Sequence, residues 1–326
     1  MSGKQALDRK LEQLHALRAN PTAPSTTEAL RRALRDRGNY IVSKAAALVG
    51  EMDRRDLIPE LIAAFHRLLE NAPKSDPQCW AKNAIAKVLK DWECEEPELF
   101  LRGIRHVQFE PSWGGQQDSA ASLRGICAFG LLNCRSVAGI TILRCLVDLL
   151  AGAEPSPRMD AARAIAALGL PEGGLLLRLK ILAGDERPEV TGQCLASYVA
   201  LDPVEGTALA AGFLELAGDD LVFEAAAALG ESKEPAAFEA LRSRLERAQD
   251  PRLRGALLLA AGATRQQAAV EYLLSLLDGD AATAAAALEA LQPACFREEI
   301  RDRVEDAVRA AGSVSLAEMW RKMRCS

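Results

Sequence analysis

The feature that most constrains the fold of this chain is a helical unit that recurs from about residue 40 onward. Its clearest copy, Arg187 to Asp219, has a proline-containing start, an apolar helix, an Asp-Pro turn and a second apolar helix. Neighbouring copies run over Ser156 to Asp185 and Asp250 to Asp280. Self-similarity with a period of about 30 to 40 residues is typical of a solenoid, whose units bury their apolar faces against one another.

Apolar residues recur three, four and seven positions apart within the clearest copy, which places them on one face of a helix. These residues are Val190, Cys194, Leu195, Tyr198 and Val199. The phrases AAALVG, AIAALG and AAALGE predict that first helices end at Gly50, Gly169 and Gly230. Other helix stops are expected at Gly184, Gly218 and Gly279. Strand patterns are almost absent, so the predicted fold class is all-α.

Two short motifs resemble those of the HEAT-repeat family, in particular the short bacterial HEAT-like units related to those of phycobilin lyases. The starts Arg187-Pro-Glu-Val and Asp250-Pro-Arg-Leu-Arg carry the resemblance, together with the endings over Ala164 to Gly169 and Ala225 to Gly230. The resemblance implies a right-handed α-α superhelix of about eight helical hairpins. The period is near 40 residues in the first three units and nearer 30 in the later ones. Such repeats specify a fold and host unrelated functions.

Three segments are expected along the chain. Residues 1–39 form N-terminal capping helices, with a Pro/Thr linker over Asn20 to Thr27 and a basic helix over Glu28 to Arg37. Residues 40–312 form the repeat solenoid, and residues 313–326 form a C-terminal capping tail that contains the basic stretch Met319 to Arg324. Polar caps are expected because a terminal repeat exposes one outer face to water.

Composition agrees with an ordered, soluble protein, since 49% of the residues are hydrophobic and 26% are charged. No apolar run approaches the ~20 residues that span a bilayer, and Met1 to Asn20 has no hydrophobic core of a secretion signal. We therefore expect a cytoplasmic protein with no membrane partner. A net charge of −5 argues against a nucleic-acid clamp.

Catalytic and metal-binding motifs are not found. The eight cysteines include no C-x-x-C pair and are accompanied by three histidines, which favours buried reduced thiols over zinc ligands. Phosphate loops, H-E-x-x-H and G-x-S-x-G are absent, and so are the His-Glu dipeptides that HEAT-like di-iron hydroxylases require. The prediction is that the chain has no catalytic residues, metal or cofactor and is not an enzyme.

One segment departs from the repeat pattern, namely the loop predicted from Phe109 to Arg124. It concentrates residue types that suit a binding surface, and the candidates are Trp113, Gln116, Asp118 and Arg124. In the alternative interpretation Trp113 fills a gap between two units, and Asp118 or Ser119 caps the following helix.

A second candidate site is a row of arginines at about one per unit on the second helices. The row comprises Arg67, Arg105, Arg144, Arg178 and Arg242. These side chains can form a basic ladder, or they can pair with carboxylates at helical neighbour distances, which are Glu70, Asp148, Glu239 and Glu246.

The ladder predicts a non-enzymatic interaction scaffold that holds another protein on its concave face, with an acidic helix or tail as a suitable ligand. The alternative is a nucleic-acid-binding protein that resembles the alkylpurine DNA glycosylases, with Trp113, Asp118 and Arg124 in a groove. The sequence does not specify the oligomeric state.

Overall fold

A computed structural model describes the backbone of residues 3–216 and 219–324, and the side chains of residues 5–215 and 220–324. The chain divides into two compact units, Met1–Ala164 and Ile165–Ser326. Helices dominate both units, and strands occur in one short hairpin of the first unit among the described residues.

The first unit contains helices that begin close to the N-terminus and continue to the unit boundary. In chain order they are α1 (Gly3–Ala16), α2 (Pro24–Leu34), α3 (Asn39–Glu51), α4 (Ile58–Leu69), α5 (Ala72–Ser75), α6 (Trp80–Asp91), α7 (Pro97–Gly103), α8 (Ala121–Leu131) and α9 (Gly139–Leu150). Strands β1 (Phe109–Ser112) and β2 (Gly115–Asp118) lie between α7 and α8. Helix α10 (Pro155–Leu168) crosses the boundary between the units.

The second unit continues with helices of similar length. They are α11 (Pro171–Ala183), α12 (Pro188–Leu201), α13 (Pro203–Leu216), α14 (Asp219–Glu231), α15 (Pro235–Arg247), α16 (Pro251–Ala263), α17 (Gln267–Ser275), α18 (Ala281–Leu291), α19 (Glu298–Ala310) and α20 (Val314–Arg324).

Successive helices form eight hairpins, from α3/α4 and α6/α7 to α16/α17 and α18/α19, in the described part of the chain. First helices pack on first helices: α3 contacts α6, and α6 contacts α8, in the first unit. In the second unit α12, α14, α16 and α18 pack in the same way. Both units therefore have the predicted all-α helical-repeat fold. The period is also confirmed, since it is about 40 residues across the first three hairpins and nearer 30 in the second unit.

Two of the predicted glycine stops are correct and two are wrong. Gly169 and Gly184 follow α10 and α11 with φ of 72° and 76°, a conformation that suits glycine at a helix end. Gly50 and Gly230 instead lie inside the last turns of α3 and α14. A Cβ atom at Gly50 would lie 2.8 Å from a methyl group of Val88. These two glycines allow adjacent first helices to pack closely and do not end their helices.

The remaining predicted stops differ from each other. Gly279 lies in the loop between α17 and α18, beyond the observed end of α17 at Ser275. Gly218 lies outside the described residues.

The N-terminal segment starts its basic helix earlier than predicted. Helix α2 begins at Pro24, inside the predicted linker, because proline in a first turn has a suitable φ and needs no N–H partner. The helix ends at Leu34, three residues before Arg37. The Arg67 guanidinium donates to the carbonyl oxygen of Leu34 at 2.8 Å, which satisfies an acceptor at the end of α2.

The predicted loop contains the β-hairpin, which sequence analysis missed. β1 and β2 pair antiparallel, with Ser112 opposite Gly115 and Phe109 opposite Asp118. Gly114 and Gly115 have φ of 98° and 151°, which glycine adopts readily at a tight turn. Each strand is four residues long, too short to show a recognisable alternation.

No helix in the described ranges is long and apolar enough to cross a membrane.

Candidate functional site

The β-hairpin is anchored by an interior of polar side chains, which is unusual for a strand in a helical protein. Gln108, immediately before β1, and Glu110 within it point inward and are buried. Because successive strand residues point to opposite faces, the residues between them point outward. The chain therefore directs Gln108 and Glu110 to one side of β1 and Phe109 to the other, where Phe109 lies opposite Asp118 of β2.

Gln108 is the centre of the buried network. Its Oε1 atom accepts from Lys82 Nζ at 3.0 Å, His106 Nε2 at 3.1 Å and Cys79 Sγ at 3.3 Å. Its Nε2 atom donates to the carbonyl oxygen of Asp76 at 2.9 Å. The side-chain amide thereby connects the start of α6 to the base of the hairpin.

Glu110 attaches β1 to the residues that precede α6. One carboxylate oxygen accepts from the backbone N–H of Gln78 at 2.8 Å and from Ser119 Oγ at 2.6 Å, and the other accepts from Gln78 Nε2 at 3.0 Å. Burial alone would raise the pKa of Glu110, but donors from Ser119, Gln108 and Gln78 outweigh it and lower the pKa.

Asp118 and Arg124 form a buried ion pair at the other side of the base. One Asp118 oxygen accepts from the backbone N–H groups of Gln108 at 2.9 Å and Ala120 at 3.0 Å, and the other accepts from Arg124 Nη1. Burial opposes ionisation of Asp118, but these donors outweigh it and lower its pKa. The expected cap of α8 by Asp118 is not formed, because its carboxylate accepts from Ala120, the residue before the helix, and from no N–H of the first turn. The Arg124 guanidinium also donates to the carbonyl of His106 at 3.0 Å.

A second buried ion pair joins Lys82 on α6 to Asp76, with 3.2 Å between Nζ and Oδ2 and both side chains fully buried. Asp76 also accepts from the backbone N–H groups of Ala81 at 3.0 Å and Lys82 at 2.9 Å, so it satisfies donors at the start of α6. Sequence analysis missed Lys82 because a lysine within WAKNAIAKVLKD resembles an exposed helical residue. The one available signal was Asp76 shortly before the helix.

The interior holds its remaining ionisable groups in neutral forms. Burial lowers the pKa of His106, so its imidazole stays uncharged near neutral pH. Burial raises the pKa of the Cys79 thiol to about 11, with Lys82 acting in the opposite direction. The thiol is therefore protonated at pH 7 and is a poor nucleophile. This network holds the hairpin in place and supplies no activated group.

Trp113 lies at the hairpin tip and is fully exposed, at 106% of its reference area. The interpretation in which Trp113 fills a gap between units is therefore wrong. Gln116 is exposed on β2, whereas Asp118 and Arg124 are buried at the base. The structure separates the tip from the base, so Trp113, Asp118 and Arg124 do not line one groove as the nucleic-acid alternative requires.

The arginines of the predicted row differ in their contacts and in their positions in the fold. Arg67 on α4 is held by carbonyl groups at the end of α2. Arg242 on α15 pairs with Glu239 at 3.4 Å and Glu246 at 3.7 Å, as the ion-pair alternative predicted. Arg105 follows the end of α7 and does not lie on a second helix, because α7 ends at Gly103.

Arg144 and Arg178 lie among exposed apolar side chains of their helices. On α9, exposed Ile140 and Val147 flank Arg144 at helical spacing. On α11, Arg178 lies beside a stripe of three exposed leucines. Within the described residues neither arginine forms an ion pair, including the predicted pair of Arg144 with Asp148.

The leucine stripe on α11 is the most exposed apolar helix face in the second unit. Leu175, Leu179 and Leu182 are exposed to 71%, 66% and 61%, and their spacing of four and three residues places them on one side of the helix. The opposite side is buried through Leu177 and Ile181. The sequence pattern did not indicate this stripe, because α11 is apolar on both sides and periodicity does not distinguish two apolar faces.

The cysteines behave mainly as small apolar groups. Five are buried and two are half-buried in the described chain, and Cys325 lies outside it. No group of three or more His, Cys, Asp or Glu residues is arranged to hold a metal ion in residues 3–216 and 219–324.

Comparison with known proteins finds similarity in solved structures. The complex of CpcE and CpcF of phycocyanin lyase from Nostoc sp. PCC7120 is 18% identical with a TM-score of 0.40, and the match covers 76% of this chain and 94% of that chain. An engineered protein is 17% identical with a TM-score of 0.38, covering 95% of this chain and 89% of that one. Human deoxyhypusine hydroxylase in complex with glycerol is 16% identical with a TM-score of 0.28, covering 97% and 91%.

No family model matches the chain. No curated protein matches it either. The structural similarities concern the helical-repeat fold alone, so the resemblance to HEAT-like repeats is supported at that level, and membership of a particular family stays a prediction.

The prediction that this chain is not an enzyme is contradicted by the first of these similarities. Phycocyanin lyase is an enzyme, and its CpcE and CpcF complex matches 76% of this chain. The prediction had rested on the absence of catalytic motifs that belong to other folds, and such motifs do not decide whether a helical-repeat fold supports catalysis. That prediction is therefore wrong.

Proposed function

We propose that this helical-repeat protein binds another protein through exposed apolar and basic surfaces on its second helices. The observation that carries the proposal is the leucine stripe of α11, formed by Leu175, Leu179 and Leu182. Removing apolar side chains from water is favourable by about 25 cal/mol for each Å² of surface that is buried. A partner that covers the stripe recovers that free energy, and exposed apolar patches commonly mark such interfaces.

The spacing of the stripe favours a helical ligand. Leu175, Leu179 and Leu182 present anchors at positions i, i+4 and i+7, which complement the apolar face of an amphipathic helix. A partner helix that packs on α11 can interleave its own apolar side chains with these leucines.

Arg178 supplies the charge preference of the same surface. It lies three residues after Leu175 and four before Leu182 on α11, spacings that place it beside the stripe, and it forms no ion pair within the described part of the chain. A carboxylate on the partner would form a charge-assisted hydrogen bond with this guanidinium, which is stronger than a bond between neutral groups. We therefore propose an amphipathic partner helix with acidic residues beside its apolar face.

A capture experiment with matched variants tests the proposal. Tagged wild-type protein is compared with the double variant Leu175→Ser/Leu179→Ser and with the control Phe296→Ser/Val314→Ser, which removes two similarly exposed apolar side chains elsewhere. Circular dichroism checks that all three remain folded. We expect one protein to be recovered stoichiometrically from a lysate by the wild type and the control, and not by the leucine double variant.

Charge reversal then tests the acidic character of the partner. With the protein identified in that capture, Arg178→Glu should weaken binding by at least about tenfold, which corresponds to ~1.4 kcal/mol. Equal recovery by all three forms in the first experiment would contradict the proposed surface. Unchanged affinity of Arg178→Glu would contradict the acidic ligand alone.

A further inference from the structure

The outward face of β1 is apolar, whereas strands that face water usually expose polar residues. Val107, Phe109 and Pro111 alternate with Gln108 and Glu110, Trp113 follows in the turn after β1, and all four are exposed. Val107 and Phe109 are each more than half exposed, and Trp113 is fully so. We name these four residues the hairpin face.

The hairpin face is held on a fixed base. Asp118 and Glu110 each accept several hydrogen bonds, and Gln108 connects the base to α6 through Lys82 and Asp76. Buried polar groups that lose their partners are costly, so these bonds resist movement of the strands. A surface held in this way loses little conformational entropy when it is covered.

The edge of β1 is poorly suited to pairing with another strand. The N–H of Ser119 donates to the carbonyl of Gln108 at 2.9 Å, so Gln108 and Ser119 form a hydrogen-bonded pair between the strands. The next residue of β1, Phe109, then belongs to a non-hydrogen-bonded pair, because the two kinds of pair alternate. Phe109 and Pro111 consequently direct their backbone groups away from β2, and proline has no N–H to donate. Recognition at this face therefore uses side chains.

Two hollows and an unpaired arginine adjoin the hairpin face. A cavity of 380 Å³ is lined by Val107 and Phe109 together with Arg105, and the carboxylates of Asp118, Asp148 and Glu154 also line it. An open depression shares Arg105 and Val107 with this cavity. The Arg105 guanidinium donates to the neutral sulfur of Cys145 at 3.5 Å and forms no ion pair in the described chain.

Arg102 adds a second cation to the same region. It lines the open depression, and its Nη1 atom lies 2.7 Å from His66 Nδ1. Its one carboxylate neighbour, Glu98, lies at 3.9 Å and is largely exposed. The open depression is thus lined by two arginines and one carboxylate, whereas three carboxylates line the 380 Å³ cavity.

We infer that the hairpin face is a docking site for a short segment of a partner protein that carries an apolar side chain followed by a carboxylate. The apolar part of the segment covers Phe109 and Trp113, and the carboxylate lies in the open depression, where it pairs with Arg105. This inference goes beyond the proposed function, because it concerns a different surface and a different kind of ligand.

Selection from a random peptide library displayed on phage tests the inference on the full-length protein. We expect the wild type to enrich peptides that combine Leu, Phe or Trp with Asp or Glu. A synthetic copy of the enriched peptide, labelled with fluorescein, is then titrated by fluorescence anisotropy. The double variant Phe109→Ser/Trp113→Ser should bind it at least about tenfold more weakly, while Phe296→Ser, an equally exposed change elsewhere, should bind normally.

Reversal of charge tests the second half of the inference. Arg105→Glu should weaken binding of the acidic peptide and strengthen binding of a version in which Lys replaces its acidic residues. All these substitutions are at exposed positions, so the thermal midpoint should be unchanged and loss of binding is not loss of folding.

Three results would overturn the inference. The first is a wild-type selection whose enriched peptides bind the double variant equally well, and the second is an enriched set with no preference for acidic residues. The third is a wild-type dimer in sedimentation velocity that Trp113→Ser dissociates, because a second copy of this chain would then be the occupant.

Discussion

The residues at the base of the hairpin show that burial decides whether a polar side chain is available to a ligand. Sequence analysis selected Asp118 and Arg124 as candidate binding residues because of their chemistry. In the fold they pair with each other and with backbone groups, so their capacity for hydrogen bonding is used internally. A single sequence identifies chemistry but not burial, and burial decides whether a carboxylate meets a ligand or a neighbouring guanidinium.

Loss of one partner of the buried Asp118–Arg124 pair should destabilise the fold strongly. Arg124→Met removes one partner and leaves Asp118 buried without its cation, which for buried pairs costs about 3 to 5 kcal/mol. The matched control is Arg309→Met, which removes an exposed arginine that pairs with Glu305 and Asp306 and should cost about 0 to 1 kcal/mol. Urea unfolding followed by circular dichroism measures both, and equal costs for the two variants would contradict the account.

Acid should loosen the hairpin base. The pKa values of Asp118 and Glu110 are lowered in the fold, so their stabilisation is complete above the unfolded values of about 4 and is lost as pH falls through the lower folded values. His106 acts in the same direction at higher pH, since its pKa is also lowered and protonation favours the unfolded state below about pH 6.5. The thermal midpoint should therefore fall on acidification from pH 7, and Asp118→Asn/Glu110→Gln should show a flatter dependence below pH 4. An identical pH dependence of wild type and variant would contradict these assignments.

The helices could be predicted because apolar residues recur at helical spacing over many residues in each of them. The hairpin could not, since four-residue strands containing Pro111 leave little pattern, although the Gly114-Gly115 pair does indicate a turn. Helix ends were predicted less well, as Gly50 and Gly230 show. A glycine that permits close packing and a glycine that ends a helix look alike in a sequence, and contact with the next helix distinguishes them.

This difference between glycines can be measured by substitution with alanine. A Cβ atom at Gly130 in α8 would overlap the ring of Phe100, so Gly130→Ala should cost about 1 to 3 kcal/mol through overpacking. Gly212 in α13 has open space around its Cβ position, so Gly212→Ala should stabilise the protein by up to about 1 kcal/mol through helix propensity. Thermal denaturation compares the two, and effects of the same sign would show that packing does not distinguish these positions.

Stacked repeats should make stability local across the whole molecule. Leu257 is fully buried on α16, which packs on α14, α15 and α18. Leu257→Asp places an unpaired charge in that core, and because repeats contact their neighbours, the loss should remain within the second unit. Hydrogen exchange should rise in α14 to α18 and stay unchanged in α3 to α9, whereas a uniform rise along the chain would contradict local stability.

At the same scale, the predicted repeat architecture is confirmed and a protein partner stays a prediction, while the exposed leucine surface emerged only from the structure. The arginine row suggested that the second helices carry a binding site. Of its five residues, Arg144 and Arg178 lie on second helices without an ion pair in the described residues. Arg67 and Arg242 are held by other groups, and Arg105 lies beyond the end of α7. The exposed leucines were hidden within an apolar helix whose two sides look alike in sequence. Burial depends on which helices pack against α11, and that information is not local.

The central claim, that α11 contacts a protein partner, is tested most directly by hydroxyl-radical footprinting of the captured complex, because oxidation reports the exposure of individual side chains. Leu175, Leu179 and Leu182 should oxidise readily in the free protein, and their oxidation should fall severalfold in the complex, while Phe296 and Val314 remain unchanged. Oxidation of the three leucines at the same rate in the free and bound protein would contradict the claim.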